Sequence, residues 1–515
     1  MDKPKYSIAD NTSITTARFD MVNSSEGGGD YTLPDYYPQI RKIVSYTADA
    51  LPDTKFISGN NLEYGGTLAF NVFYIGEDGA LVCVPYAFEY SSSQVLPAEV
   101  RGTAEIAIDA KAEDIQCRVL APRKLSLKAK IKTRISANDK QECKLQMIGS
   151  DGETVSPSER AAIQHLNKVI PVMTSGRCTI TGKVTGEIKE KQGAKPVSCS
   201  ATMNITEVKS RRDCIMVRGE ACVKCIVFTP DGYYAPARAR FPFEETITAE
   251  GASDGDMCRA WGRAASVSVS EGDDGILKAE VEYDLDAEWC RKGEKTVVED
   301  AYAAGRISHT ERADINSHSL LCCTTSSLSL NGNGKRTTKP DANEYLIDMR
   351  CEASIDHAEQ KDAHMVFTGA CKIKAFIVSN GEIICEDMTL PIKYEAAAES
   401  PQADGRIILF SNVCCTELNG RLEGDTINAN VELCISVCAK RENKLSPVSK
   451  ITLEQSNEEL DNVAQIKVFY GTKDERLWDV SKKYLAPINK IEAANSISRN
   501  DSVEGKAIII PIGIG

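Results

Sequence analysis

The stretch Gly66-Thr-Leu-Ala-Phe-Asn-Val-Phe-Tyr-Ile-Gly-Glu-Asp-Gly79 decides how this chain is read, because the chain uses it three times. The second copy is Gly219-Glu-Ala-Cys-Val-Lys-Cys-Ile-Val-Phe-Thr-Pro-Asp-Gly232, and the third is Gly369-Ala-Cys-Lys-Ile-Lys-Ala-Phe-Ile-Val-Ser-Asn-Gly381. Each is a glycine, an alternating run and a D-G or N-G turn. At every second position after the glycine the copies are apolar: Leu68, Phe70, Val72 and Tyr74; Ala221, Val223, Cys225 and Val227; Cys371, Ile373, Ala375 and Ile377. Side chains alternate along a strand, so each set shares one face. The intervening Asn71, Lys224, Lys372 and Lys374 suit water. The closing dipeptide reverses the chain into a hairpin.

The copies start 153 and 150 residues apart. A second alternating strand recurs in phase, about 46 residues beyond each turn glycine. Its inward sets are Leu125, Leu127, Ala129 and Ile131; Leu277, Ala279, Val281, Tyr283 and Leu285; Ile427, Ala429, Val431, Leu433 and Ile435. Two landmarks repeating together predict a mainly β chain of three tandem β-sandwich-like modules, over 34–150, 151–300 and 301–453.

At 515 residues with a formal charge of −13, the chain is large enough for several cores and carries the wrong sign for nucleic acid or an anionic membrane. Met1-Asp-Lys-Pro-Lys-Tyr6 has no apolar h-region, so no signal peptide is expected, and no run is long enough to span a bilayer. The 19 cysteines then read as reduced, buried small hydrophobes, with cross-linking in a durable assembly as the oxidised alternative. Cys222 and Cys225 are C-x-x-C, but on a strand they face opposite ways; Cys434 and Cys438 share a face yet lie about 13 Å apart. The adjacent pairs Cys322-Cys323 and Cys414-Cys415 are a poor zinc spacing, so these spacings predict no metal site and no cofactor.

Residues 1–33 are polar, contain Gly27-Gly28-Gly29, and read as a flexible leader. The return strands of the second and third hairpins carry Phe241-Pro242-Phe243 and Leu390-Pro391-Ile392, which places them at a sheet edge. Residues 157–168 predict a helix capped by Ser156 or Ser158 with Glu159 near its positive end, and 297–318 predict another. Asn331-Gly-Asn-Gly-Lys-Arg336 reads as a loop, either an exposed turn or a phosphate nest, without the context of a Walker motif.

The outward faces of the second landmark strand differ. Module one presents Lys124, Lys128, Lys130, Lys132 and Arg134; module two presents Lys278, Glu280, Glu282, Asp284, Asp286 and Glu288. The plain reading is solvated faces. The sharper one is that the basic stripe docks an acidic surface, such as that of module two in this chain or a second copy, giving self-association. None of His165, His309, His318, His357 and His364 lies in a catalytic or metal motif, and the chain is expected to be non-enzymatic.

After an acidic linker over 454–464 the pattern changes. Ile466–Tyr470 reads as a strand, Gly471–Asp474 as a turn with Asp474 as helix cap, Leu477–Tyr484 and Ile488–Asn495 as helices, and Ala507–Pro511 as a closing strand. This βααβ unit over 465–515 resembles a LysM domain, through Gly471, Leu477-Trp478, Val480, Lys483-Tyr484, Asn495, Gly505 and Ile510-Pro511. Its first turn is about two residues longer than the family pattern. The resemblance implies a groove for N-acetylglucosamine chains of peptidoglycan formed by Gly471, Thr472, Lys473 and Asp474 with Asn495, Ser496 and Ile497, while Trp478 reads as core.

Three β-modules before a LysM also resemble the SPOCS-domain, SipL-type spore coat morphogenetic proteins, through the hairpins ending Pro242-Phe243-Glu244 and Pro391-Ile392-Lys393 and the alternating strand that follows. That resemblance implies a non-enzymatic scaffold in the mother cell, at the forespore surface. It also implies that the LysM contacts a spore coat morphogenetic protein (a coat ATPase) rather than glycan.

Overall fold

The computed structural model describes residues 12–97, 105–272, 274–454 and 465–512. The chain is mainly β, and helix among the described residues is confined to three short segments. Module one contains β1 (Thr12–Thr32), β2 (Ile40–Ser58), β3 (Asn61–Gly76), β4 (Leu81–Val95), β5 (Glu105–Ala121) and β6 (Lys124–Cys143). A short β7 (Gln146–Ile148) and α1 (Pro157–Ala162) lead to module two. That module has β8 (Ile163–Ile188), β9 (Lys195–Arg211), β10 (Cys214–Phe228), β11 (Tyr234–Thr248), β12 (Met257–Glu271) and β13 (Leu277–Ala303). After β14 (Ser308–Arg312), module three repeats the plan with β15 (Ile315–Lys335), β16 (Tyr345–Lys361), β17 (His364–Ser379), β18 (Glu382–Ala397), β19 (Ile407–Glu423) and β20 (Thr426–Leu445). β21 (Val448–Leu453) then pairs with β14 and, in parallel, with β7.

Within each module the second to fourth strands form an antiparallel meander. The fifth and sixth form a hairpin whose last strand returns to pair with the first. The two landmark strands face each other across the gap between these layers. Leu68, Phe70, Val72 and Tyr74 of β3 share one buried cluster with Leu125, Leu127, Ala129 and Ile131 of β6. The equivalent sets of β10 and β13, and of β17 and β20, do the same. Alternation therefore selects one face of each central strand, and burying each large side chain on it contributes about 1.5–3 kcal/mol. The proline-bearing β11 and β18 are edge strands, where a missing N–H costs no ladder bond.

Four sequence expectations within the β-modules need correction. The segment read as a leader, 1–33, is strand over Thr12–Thr32, paired with β6 along its length; residues 1–11 lie outside the described residues. The loop expected at 331–336 is the end of β15 through Lys335. In both places glycine serves close packing rather than a turn. Gly29, Gly186 and Gly332 lie opposite Leu127, Ala279 and Ala429, equivalent positions of the three modules. A Cβ on each would come within 2.9 Å of Phe88, 2.2 Å of Phe241 and 2.3 Å of Leu390, the same position of each edge strand. The helix expected over 157–168 stops at Ala162: Ser156 and Glu159 form the capping box, but from Ile163 the chain pairs with β13. The helix expected over 297–318 is the end of β13, then β14 and the start of β15.

The modules pack cyclically. β4 lies against β9, β11 against β16 and β18 against β2. Lys224 of module two donates to the Met349 carbonyl of module three at 2.6 Å, and Lys374, its equivalent in module three, donates to the Tyr46 carbonyl of module one at 3.0 Å. Phe73, Ile226 and Phe376, each seven residues after its repeat glycine, meet in one cluster. The ring closes where β1 bridges β15 at Thr16 and Ser317. Strands β2, β5, β9, β12, β16 and β19 surround a central cavity of about 2090 Å³, which turns sheet edges inward.

The C-terminal unit consists of β22 (Gln465–Tyr470), α2 (Leu477–Lys483), α3 (Ile488–Asn495) and β23 (Ala507–Ile512). Of the acidic linker, 455–464 lie outside the described residues. Asp474 does not cap α2. It occupies the left-handed region at φ 68°, and Arg476 is the N-cap, its backbone N–H bonded to Asp479. The longer turn places the cap two residues later.

Candidate functional site

The C-terminal unit docks on the far end of the β8–β13 ribbon. These strands run well beyond the module-two core, and the start of β8 with the end of β13 forms a platform for α2 through Leu166 and Tyr302. Trp478 is fully buried, as its reading as core requires. Its indole N–H donates to Asp300 at 2.9 Å, and the Lys482 ammonium reaches the same carboxylate at 2.7 and 2.8 Å. Burial raises the Asp300 pKa, but the hydrogen bonds from Lys482 and Trp478 outweigh it and hold the carboxyl below its ordinary value. Tyr302 crosses Trp478 edge-on at 5.1 Å and donates to the Ala486 carbonyl at 2.5 Å. Asp300 and Tyr302 went unnoticed in the sequence because their segment reads as a linker helix.

The residues expected to form a groove are held mainly by their own neighbours. A Cβ on Gly471 would lie 1.9 Å from the Val503 carbonyl, and Gly471 exchanges backbone bonds with Lys506 and Gly505. Thr472 donates from its backbone and hydroxyl to Glu475 at 2.9 and 2.6 Å. Asn495 behaves as an extra strand residue: its amide donates to the Ile509 carbonyl and its oxygen accepts from the Ile509 N–H, both at 2.7 Å. Ser496 takes the left-handed conformation at φ 52°, and Ile497 packs on the unit's core. Lys473, Asp474 and Ser496 are exposed. The turn is thus tied to 503–506 and Asn495 to β23, with no hydrogen bond between the two halves among the described residues.

The outer face of the β22–β23 sheet is different in kind. Ile466, Val468 and Tyr470 are 73%, 56% and 72% exposed, and they stand opposite Pro511, Ile509 and Ala507. Six consecutive outward positions are apolar or aromatic. The opposite face buries Ile508 and Ile510 with Phe469. The signal was present in Ile466-Lys-Val-Phe-Tyr470, whose Ile466, Val468 and Tyr470 share one face while Phe469 on the other already faces the core.

The basic stripe of module one makes local contacts. Lys124 pairs with Asp30 at 2.8 Å and Lys132 with Glu113 at 3.6 Å, while Lys128 and Lys130 are exposed. Arg134 grips Asp20 through two nitrogens at 3.0 Å, donates to the Leu409 carbonyl at 2.6 Å and lies over the Phe410 ring, joining module one to module three. In the acidic stripe of module two, Glu288 is buried and receives Arg259 and Lys440 at 2.8 Å each. Burial raises its pKa, but Lys440, Arg259 and Arg177 hold it well below the carboxylate range. Within this chain, then, that end of the acidic stripe is taken by Arg259 of module two itself and by Lys440 of module three. The central cavity is similarly mixed: Arg263 pairs with Asp284 at 3.0 Å, Lys224 with Asp348 at 2.6 Å, and Arg240 with Glu417. Lysines and arginines alternate with carboxylates along the lining, so it presents no field of one sign.

Comparison with family models, with curated proteins and with solved structures finds no match to this chain. No helix among the described residues is long and apolar enough to cross a membrane.

Proposed function

We propose that this chain is a non-enzymatic scaffold of spore coat or envelope assembly, of the SPOCS type, whose LysM-like unit binds a protein rather than glycan. The observation that carries the reading is the exposed apolar face of β22–β23, formed by Ile466, Val468, Tyr470 and Ile509. Such a face is anchor material for a protein interface, where aromatic and aliphatic side chains carry most of the affinity. The groove side chains Thr472 and Asn495 instead spend their hydrogen bonds within the unit. The partner expected from the family resemblance is a coat morphogenetic ATPase, met on the mother-cell side of the forespore surface. Fixed to the ribbon through Asp300 and Tyr302, the unit presents its face at a set position relative to the ring.

The test uses the full chain. Val468→Asp puts a charge into the middle of the apolar face, and loss of capture of the coat ATPase by thirtyfold or more, about 2 kcal/mol, is expected. Thr472→Ala with Asn495→Ala should leave that capture unchanged. Saturable binding to purified peptidoglycan, lost in the second variant and retained in the first, would replace the proposal with the glycan reading.

A further inference from the structure

Three cysteines far apart in sequence meet at the junction of modules two and three. Cys290 lies on β13, Cys323 on β15 and Cys438 on β20, and their Sγ atoms all fall within 4.8 Å of one another. Cys323 and Cys438 are cross-strand neighbours, and Cys290 approaches from the facing strand. All three are buried, at 0%, 3% and 0% exposure. The hydrophobic side chains packed with them are Met173, Leu320, Met257 and Phe410.

We infer that Cys290, Cys323 and Cys438 form a trigonal thiolate site for one soft monovalent metal ion of the Cu(I) class, which ties module two to module three. Thiolates about 2.3 Å from one metal lie about 4 Å from each other, a spacing this trio reaches with little movement. A disulfide needs about 2.05 Å between two sulfurs and leaves the third thiol without a role. Soft sulfur ligands select Cu(I) or zinc. Zinc takes four ligands, and among the described residues no fourth cysteine, histidine or carboxylate atom lies within 4.8 Å of all three sulfurs, so three-coordination favours Cu(I).

The local charge also suits an anionic centre. Arg259 and Lys440 are both buried beside a single buried carboxylate, Glu288, and Arg177 lies 4.0 Å from the same carboxylate. Two buried cations thus share one buried anion, with Arg177 between Glu288 and Asp286. Binding exchanges three S–H protons for one Cu(I), so the trithiolate complex carries two negative charges, in a region where buried cations outnumber buried carboxylates. No oxidant or reductant is consumed.

The experiment titrates the reduced full chain, without oxygen, with Cu(I) held by a competing chelator. One equivalent is expected to bind with a sulfur-to-copper charge-transfer band. Cys290→Ala, Cys323→Ala and Cys438→Ala should each lose that equivalent and the band. Cys199→Ala, which breaks a two-thiol contact of 2.9 Å elsewhere, should keep both. X-ray absorption on the loaded wild-type chain keeps the test independent of how the variants fold: a first shell of three sulfurs is expected. A two-coordinate shell, a shell containing nitrogen or oxygen, tighter retention of Zn(II), or equal loss in Cys199→Ala would overturn the inference.

Discussion

Replacing Asp300 by alanine should loosen the C-terminal unit from the ribbon without disturbing the ring. Asp300 accepts from the indole of Trp478, which is fully buried, and from Lys482, whose side chain is 43% exposed. The two losses differ in size. An indole N–H left buried without an acceptor costs about 1–3 kcal/mol. An ion pair to a half-exposed lysine contributes about 0.5 kcal/mol. The sum, about 1.5–3.5 kcal/mol, corresponds to roughly 10- to 400-fold in an opening equilibrium. Hydrogen exchange read by mass spectrometry reports that equilibrium locally. Amides of α2 should exchange faster by this factor in Asp300→Ala and only a few-fold faster in Asp300→Asn, which keeps an acceptor for the indole. Lys482→Ala should resemble the asparagine variant. Amides of β10 and β17 should not change. Equal exchange of α2 in wild type and Asp300→Ala, or acceleration spread through the ring, would show that this docking does not hold the unit.

Lys440→Met removes one of two cations at 2.8 Å from the buried Glu288 and should lower unfolding free energy by about 3 kcal/mol in denaturant titration; a change under about 0.5 kcal/mol would mean Arg259 alone suffices. Gly186→Ala drives a Cβ to 2.2 Å from the Phe241 ring and should cost about 1–3 kcal/mol, partly recovered by Phe241→Leu in the same chain, as melting curves of the single and double variants would reveal. His318 is buried, and burial first, then Lys440, pushes its pKa from 6.5 down to about 4, against weaker opposing effects of Cys438 and Asp20. The unfolded chain therefore binds the extra proton, and stability that is full above pH 6.5 falls as pH drops toward 4. At pH 5 the loss from this group is about 2 kcal/mol, so wild type should lose that much more than His318→Leu between pH 7.5 and 5.

The sequence made the interior of each module legible because two central strands per module bury one face and wet the other. Leu68 and Leu125 with their repeats mark that interior without ambiguity. The C-terminal βααβ order was legible for a similar reason: helix and strand periods alternate over short, well-punctuated segments. What failed was the reading of glycine. Gly27-Gly28-Gly29 and Gly332 resemble loop punctuation, yet in β1 and β15 Gly29 and Gly332 make room for Phe88 and Leu390 on the facing sheet. A local reading cannot see a partner strand that arrives about a hundred residues later. Residues 163–168 illustrate the same limit, since their helical pattern yields to pairing with β13. Of the candidate site, the groove residues were nameable only through the LysM resemblance and the apolar face from Ile466, Val468 and Tyr470, whereas Asp300 and the three-cysteine cluster depend on which strands meet.

The closed ring has a genealogical and a practical consequence. A single module whose β4-type strand fits the β2-type strand of its neighbour would, as a free chain, assemble three copies about an axis. Fusion into one polypeptide leaves two covalent joints and one seam, where β1 reaches β15. Fusion also frees each junction to diverge, and the buried Arg259, Glu288 and Lys440 stand at one junction alone. That trio works as an address: it fixes which module follows which. A circular permutant that joins the two sides of the seam and opens the chain between modules one and two would keep the address and should close into the same ring.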